Sequence, residues 1–154
     1  MRVYLAGPLF TVAERQFMAD FRDMVNTIPG CESLWPGDLF AADALALMGA
    51  QAKEHIFQGC ARAIAACTMV IAVLDGAQVD DGTAWEIGYA TARAMPIWGL
   101  RTDFRVAGDT ACSVVNCRIE CSCARIFRDV PGLLAQLTVF SRQLGGGATD
   151  KTVC

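Results

Sequence analysis

Basic residues are in short supply: 13 Lys and Arg stand against 16 Asp and Glu, leaving a formal net charge of -3. With a sequence pI near 5.0, the chain lacks the clustered Lys and Arg needed to neutralise a phosphate backbone, so nucleic acid is not an expected partner. No apolar run approaches the roughly 18 residues of a membrane-spanning helix, and no membrane association is expected. Met1-Arg2-Val3-Tyr4-Leu5-Ala6-Gly7-Pro8 enters strand-like sequence without the charged segment and long apolar run of a secretory leader. A cytoplasmic location is the resulting expectation. Histidine is nearly missing, and the lone His55 has no evident partner in the sequence. It is expected on the surface or in helix packing rather than as a ligand.

Apolar residues, by contrast, are plentiful. They make up 54% of 154 residues, with a mean hydropathy of +0.36. A chain of this length fits one domain with its own core, and the apolar excess points to subunit interfaces as well, hence a homo-oligomer, dimer or hexamer. Eight cysteines are present; without a secretory signal, reduced thiols are expected rather than disulfides. Cys112, Cys117, Cys121 and Cys123 fall within twelve residues as C-x4-C-x3-C-x-C. Structural zinc sites use paired knuckles separated by a longer loop, so this cluster is read as small thiols and no metal is expected.

Strands and helices alternate along the chain. Val3 to Ala6 reads as a short buried strand broken by Gly7-Pro8. Phe17, Phe21 and Val25 recur every four residues and predict an amphipathic helix over about 11–27. Glu32 to Trp35 is a second strand closed by Pro36-Gly37, and the alanine-rich stretches 39–50 and 52–66 suit helices. Met69 to Leu74 predicts a buried strand, 83–94 a helix, 96–100 a fourth strand and 124–127 a fifth. The segment 114–119 is of uncertain type. A closing helix is predicted over 130–144, begun by Pro131. This order implies an α/β fold with a parallel sheet and helices on both faces. One domain is expected over 1–144, followed by a flexible glycine-rich tail over 145–154.

The chemistry concentrates in Asp80-Asp81-Gly82-Thr83-Ala84-Trp85-Glu86-Ile87-Gly88-Tyr89-Ala90, just after the Met69–Leu74 strand. Carboxylates there would stand at the C-terminal edge of a sheet, where open α/β folds bind ligands. Like charges at close range raise one another's pKa. One carboxylate could then act as nucleophile while another holds a proton as general acid, the division of labour in retaining glycosyl transfer. A structural reading competes with this one. Thr83-Ala84-Trp85-Glu86 is also a capping box, with Thr83 as N-cap and Glu86 in the first turn reaching back to it. Taken alone, the tetrapeptide favours the cap. Asp80 and Asp81 likewise suit an ordinary turn, and Trp85 and Tyr89 suit a core.

Tyr4-Leu5-Ala6-Gly7-Pro8-Leu9-Phe10 at the first strand end, together with the segment 80–90, resembles the paired signature of the nucleoside 2-deoxyribosyltransferases, a superfamily that also contains deoxynucleotide N-hydrolases. The likeness extends to about residue 143. It implies a flavodoxin-like, doubly wound sheet of about five strands and a double-displacement exchange of bases on a 2-deoxyribose, in nucleotide salvage. By this resemblance Glu86 is the nucleophile, Tyr4 orients it, and Asp80 contacts the base and protonates the leaving group. Leu9 and Phe10 form an apolar wall for the base, with Gly82 and Asp38 also in the substrate site. Asp38 is equally good turn chemistry after Pro36-Gly37. Asn116 resembles an asparagine lent to a neighbouring subunit's site; a loop or cap role stands beside that. Such chemistry needs no cofactor. The implied partners are deoxynucleosides and free nucleobases.

The chain departs from the family pattern at Cys60, where an aspartate usually faces the site. A thiol cannot replace a carboxylate's two acceptor oxygens, so base recognition or proton transfer is expected to differ. Some members also use a C-terminal carboxylate near the site; the glycine-rich end and Cys154 give no match for it. Three readings follow: a deoxyribosyltransferase; an N-glycoside hydrolase of deoxynucleosides or deoxynucleotides; and a non-catalytic nucleoside-sensing module. The first loop, 7–11, lacks obvious cationic or serine donors, which favours an unphosphorylated substrate.

Overall fold

A computed structural model describes residues 1–146 of the chain. Strand β1 (Arg2–Ala6) leads to helix α1 (Val12–Asn26), then β2 (Glu32–Leu34) and three short helical pieces: α2 (Pro36–Leu39), α3 (Ala42–Met48) and a 3-10 turn (Gly49–Gln51). Helix α4 (Ala52–Ala65), β3 (Met69–Val73), α5 (Asp81–Ala92) and β4 (Ile97–Leu100) follow. The chain continues through α6 (Cys117–Ser122), β5 (Arg125–Phe127) and α7 (Val130–Gly146). Among the described residues the four strand pairings are parallel, in the order β2-β1-β3-β4-β5. This is the flavodoxin-like order, whose ligand crevice lies where the connections diverge, outside the ends of β1 and β3.

Alternation along the strands sorts side chains to two cores. Val3, Leu5, Ile71, Val73 and Leu100 face α1 and α7, meeting Met18, Phe21, Leu133 and Leu137. Tyr4, Ala6, Val70, Ala72 and Leu74 face the other way, against Ile64, Ile87 and Ala90 of α4 and α5. β3 is buried along its whole length, as a central parallel strand covered on both faces must be. Helix α1 starts with a capping box: Thr11 Oγ1 accepts from the Glu14 N–H at 3.1 Å and Glu14 Oε2 accepts from the Thr11 N–H at 2.7 Å. Two orphan donors are thereby satisfied, which places α1 just past the β1 exit.

The structure corrects several expectations at element ends. Pro36 ends the β2 run by starting α2, since its missing N–H costs nothing at a first helical position. The stretch 39–50 is divided among α2, α3 and the 3-10 turn: the backbone is extended at Phe40 and Ala41, and Gly49 adopts φ +53° at the end of α3. The uncertain segment 114–119 contributes to α6. Helix α7 continues through Gly145 and Gly146, two residues beyond the expected tail boundary; the remainder of that tail, residues 147–154, lies outside the described residues. Among the described residues, no helix is long and apolar enough to cross a membrane.

Ile71, wholly buried in the central strand, has no room to collapse around a lost side chain. Ile71→Ala is expected to lower stability by about 2–5 kcal/mol, read as a lower midpoint with unchanged slope in urea unfolding.

Candidate active site

The alternation that faces Tyr4 toward α5 brings its phenol to Glu86. The Tyr4 hydroxyl donates to Glu86 Oε1 at 2.5 Å, across 82 residues of sequence, and the pair is buried. Glu86 is therefore not a helix cap. The N-cap of α5 is Asp80, whose Oδ2 accepts from the Thr83 N–H at 2.8 Å and the Thr83 hydroxyl at 3.0 Å. The helix starts earlier than the tetrapeptide suggests, and Glu86 falls in its second turn, with its side chain turned to the sheet. Asp80 satisfies the free N–H groups of the helix start, leaving Glu86 available for Tyr4.

Burial pushes the Glu86 carboxyl up to about 7; the charge of Asp80 adds to the rise and the Tyr4 hydrogen bond opposes it. Burial and the charge of Glu86 raise the Tyr4 phenol well above its ordinary value, so it stays a hydrogen-bond donor at all working pH values. Cys60 is buried close to Tyr4, and burial raises its thiol. The position noted for its departure from the family pattern thus lies beside the Tyr4–Glu86 pair.

Glu86 opens onto a cavity of about 660 Å³ at the sheet edge. Leu9, Phe10, Gly82 and Asp80 line it. Phe10 is 70% exposed and so occupies the rim. Trp85, expected in the core, is instead 40% exposed and forms part of the wall, edge-on to Phe57 and stacked on Tyr89, each at 5.2 Å between centroids. Helical spacing places Trp85 beside Glu86 on the cavity side, whereas Ile87 and Ala90 take the buried side.

Trp35, Phe40, Phe57 and Arg15 are cavity residues that the sequence reading missed. Trp35 had the form of a strand residue. Its ring packs so closely over Gly37 that a Cβ there would collide with it, and its buried indole N–H has no acceptor among the described residues. Arg15 reaches from α1 and donates to the Leu9 and Phe10 carbonyls at 3.1 and 2.9 Å. The first loop is thus braced by a cation that the loop sequence alone does not contain.

Two expected residues do not line this cavity. Asp38 is tied to Arg22 at 2.6 Å, and Arg22 in turn lies over the Trp35 ring at 5.7 Å. Asn116 caps α6, accepting from the Arg118 N–H at 3.0 Å and donating to Asp109 at 3.2 Å, and it lines a separate cavity. His55 lies edge-on to Phe40 at 5.7 Å. The cluster at 112–123 forms no cage: Cys117 donates to Asp109 at 3.3 Å, and no three potential metal ligands are grouped among the described residues.

The profile of the family described as nucleoside 2-deoxyribosyltransferase matches residues 3–138. Among solved structures, a conserved protein of Enterococcus faecalis V583 is 23% identical, with a TM-score of 0.73, covering 94% of this chain and 98% of its own. A 2-deoxyribosyltransferase from the psychrotolerant bacterium Bacillus psychrosaccharolyticus is 18% identical, with a TM-score of 0.72, covering 87% and 90%. A CMP N-glycosidase of Clostridium botulinum is 20% identical, with a TM-score of 0.56, covering 91% and 99%. At these identities the likeness establishes the fold. No curated protein matches the sequence.

An acid whose folded-state pKa exceeds its unfolded value stabilises the fold while protonated. For Glu86 that contribution is complete below the ordinary value of 4.5 and is lost as pH rises through about 7. Glu86→Gln keeps an acceptor for Tyr4 without the charge. Urea unfolding at about pH 8 should find it more stable than the parent by about 2–3 kcal/mol, with the gap closing toward about pH 4.5.

Proposed function

The chain belongs to the nucleoside 2-deoxyribosyltransferase family, and from that premise we propose that it moves a 2-deoxyribosyl group between nucleobases through Glu86. The observation that carries the reading is the Tyr4–Glu86 hydrogen bond at the margin of an aromatic-walled cavity. A cavity of this size suits a nucleoside, and Trp85, Phe57 and Trp35 offer flat apolar surface to a heterocycle.

In the proposed reaction, a Glu86 oxygen attacks the anomeric carbon as the bond to the base nitrogen breaks. The bonding electrons leave on the base, which takes a proton from Asp80, and a deoxyribosyl ester of Glu86 remains. An incoming base attacks the same carbon, returns its proton to Asp80 and releases the carboxylate. Tyr4 holds Glu86 in the attacking orientation and keeps its pKa from rising further. Leu9, Phe10 and Gly82 complete the pocket. Within one chain Asp38 and Asn116 stand outside it; in this reading Asn116 serves the site of a neighbouring subunit in a homo-oligomer. The catalytic unit is taken as one domain over 1–144.

Arg15 in the wall favours a second reading, in which the substrate carries a phosphate and water, rather than a base, resolves the ester. Incubation with deoxyinosine separates the two. Deoxyadenosine formed only when adenine is added supports transfer, whereas hypoxanthine release without an acceptor base, or activity restricted to the 5'-phosphate, supports hydrolysis. Binding without turnover would support the sensing module.

Glu86→Gln should lower turnover by roughly three orders of magnitude or more in this assay. The nucleophile must be ionised, so the acidic limb of kcat/KM should rise with pH through about 7, and Tyr4→Phe should move that limb upward by removing the opposing hydrogen bond.

A further inference from the structure

Helix α5 is apolar almost all the way round, and only one side of it is covered. Between Asp81 at its start and Arg93 at its C-cap, its one charged residue is Glu86, which is buried. The outward row Gly82, Trp85, Gly88 and Ala92 recurs at helical spacing and carries no charge. A helix apolar on every side is normally enclosed, yet this row stands open. Trp85 is 40% exposed, and beside it Phe57 of α4 is 46% exposed, the two rings meeting at 5.2 Å. Ala61 and Ala65, one and two turns after Phe57, extend the same side of α4 without a charge.

The two ends of this face carry opposite charges. Asp81 and Arg93 are both exposed, and among the described residues neither forms an ion pair. Asp81 accepts from the Gly82 N–H at 2.8 Å, and the Arg93 guanidinium lies over the Tyr89 ring at 5.6 Å. Gly88 stands near the midpoint, about 10 Å along the axis from Asp81 and about 8 Å from Arg93, and a Cβ there would meet nothing within 4 Å. A second copy running antiparallel about a two-fold axis beside Gly88 sets each Asp81 against the other copy's Arg93, at both ends at once. The same axis sets Trp85, before Gly88, opposite Ala92, after it, so that a large side chain faces a small one. Both charges also suit their own helix end, and antiparallel packing aligns the two helix dipoles favourably.

We infer that the α4–α5 face, centred on Gly88, is the surface through which two copies of this chain pair about a two-fold axis. Aromatic and small side chains supply the centre that is removed from water, and the Asp81–Arg93 pairs at the rim fix the direction. An unrelated partner has no reason to match the spacing of those two charges, whereas a second copy matches it by symmetry. Phe57 and Trp85 also edge the Glu86 cavity, so the contact runs beside its mouth. The pairing is independent of the reaction proposed there.

Sedimentation equilibrium of the full chain at micromolar concentration tests this without reference to turnover. The parent is expected at the mass of two chains or of a larger even number. Gly88→Lys places charge at the axis without a clash inside the chain; it should sediment at a lower mass than the parent with an unchanged circular dichroism spectrum. Asp81→Arg and Arg93→Asp should each weaken association about tenfold or more, and the double exchange should recover most of what either single change loses. A monomeric or odd-numbered parent, an unchanged mass for Gly88→Lys, or no recovery in the double exchange would each overturn the assignment.

Discussion

The buried hydrogen bond between Tyr4 and Glu86 is the contact on which the site's chemistry depends. It joins the first strand to the helix after the third, and it can form only if β1 and β3 are adjacent, parallel and in the register that pairs Tyr4 with Val70. A carboxyl group buried this far costs free energy when ionised. The phenol recovers part of that cost, and Asp80, one turn and a half earlier, works against it. The balance leaves Glu86 able to change protonation state near neutral pH, which neither an exposed glutamate nor a capping glutamate would do.

The division of tasks along α5 follows from the same constraint. Helix starts leave N–H groups unsatisfied, and Asp80 answers them. Because the cap is supplied upstream, Glu86 can point at the strands. The residues between these two acids then sort by helical geometry, with Thr83 packed inside, Trp85 in the cavity wall and Ala84 toward the separate cavity that Asn116 lines. One helix therefore separates two concave regions of different character: an aromatic cavity with acids at its edge and a smaller one lined by arginines.

Much of the architecture was legible because the signals repeat. The apolar runs at 3–6, 69–73 and 97–100 are buried on both faces in a parallel sheet, and the spacing of Phe17, Phe21 and Val25 marks the packed side of α1. Short elements such as α2 and α6 give too few residues for a period to show. Within the site, Thr83 and Asp80 are both competent N-caps, and local sequence favours Thr83 because Glu86 stands three residues on. The choice falls to Asp80 because Tyr4, remote in sequence, holds the glutamate elsewhere. The surroundings of Asp38 and Trp35 were hidden from the sequence for a similar reason. An acidic residue after Pro-Gly looks available to a ligand until Arg22 arrives from α1, and a tryptophan at a strand end becomes cavity wall only when Gly37 lets the chain fold back beneath its ring.

By itself the sequence determined the order of strands and helices, and with it the α/β class, because burial periodicity is a local property of the chain. It also supplied the reactive groups: a tyrosine on the first strand, and two acids and a glycine at the turn after the third. Tertiary structure decided how those groups are used. It paired Glu86 with Tyr4, brought Arg15 to the first loop, turned Trp85 outward, and left Arg101 buried without a counter-ion among the described residues. Each of these outcomes depends on strand register and on which helix covers which face, and such contacts between distant segments have no period that can be read along a single chain.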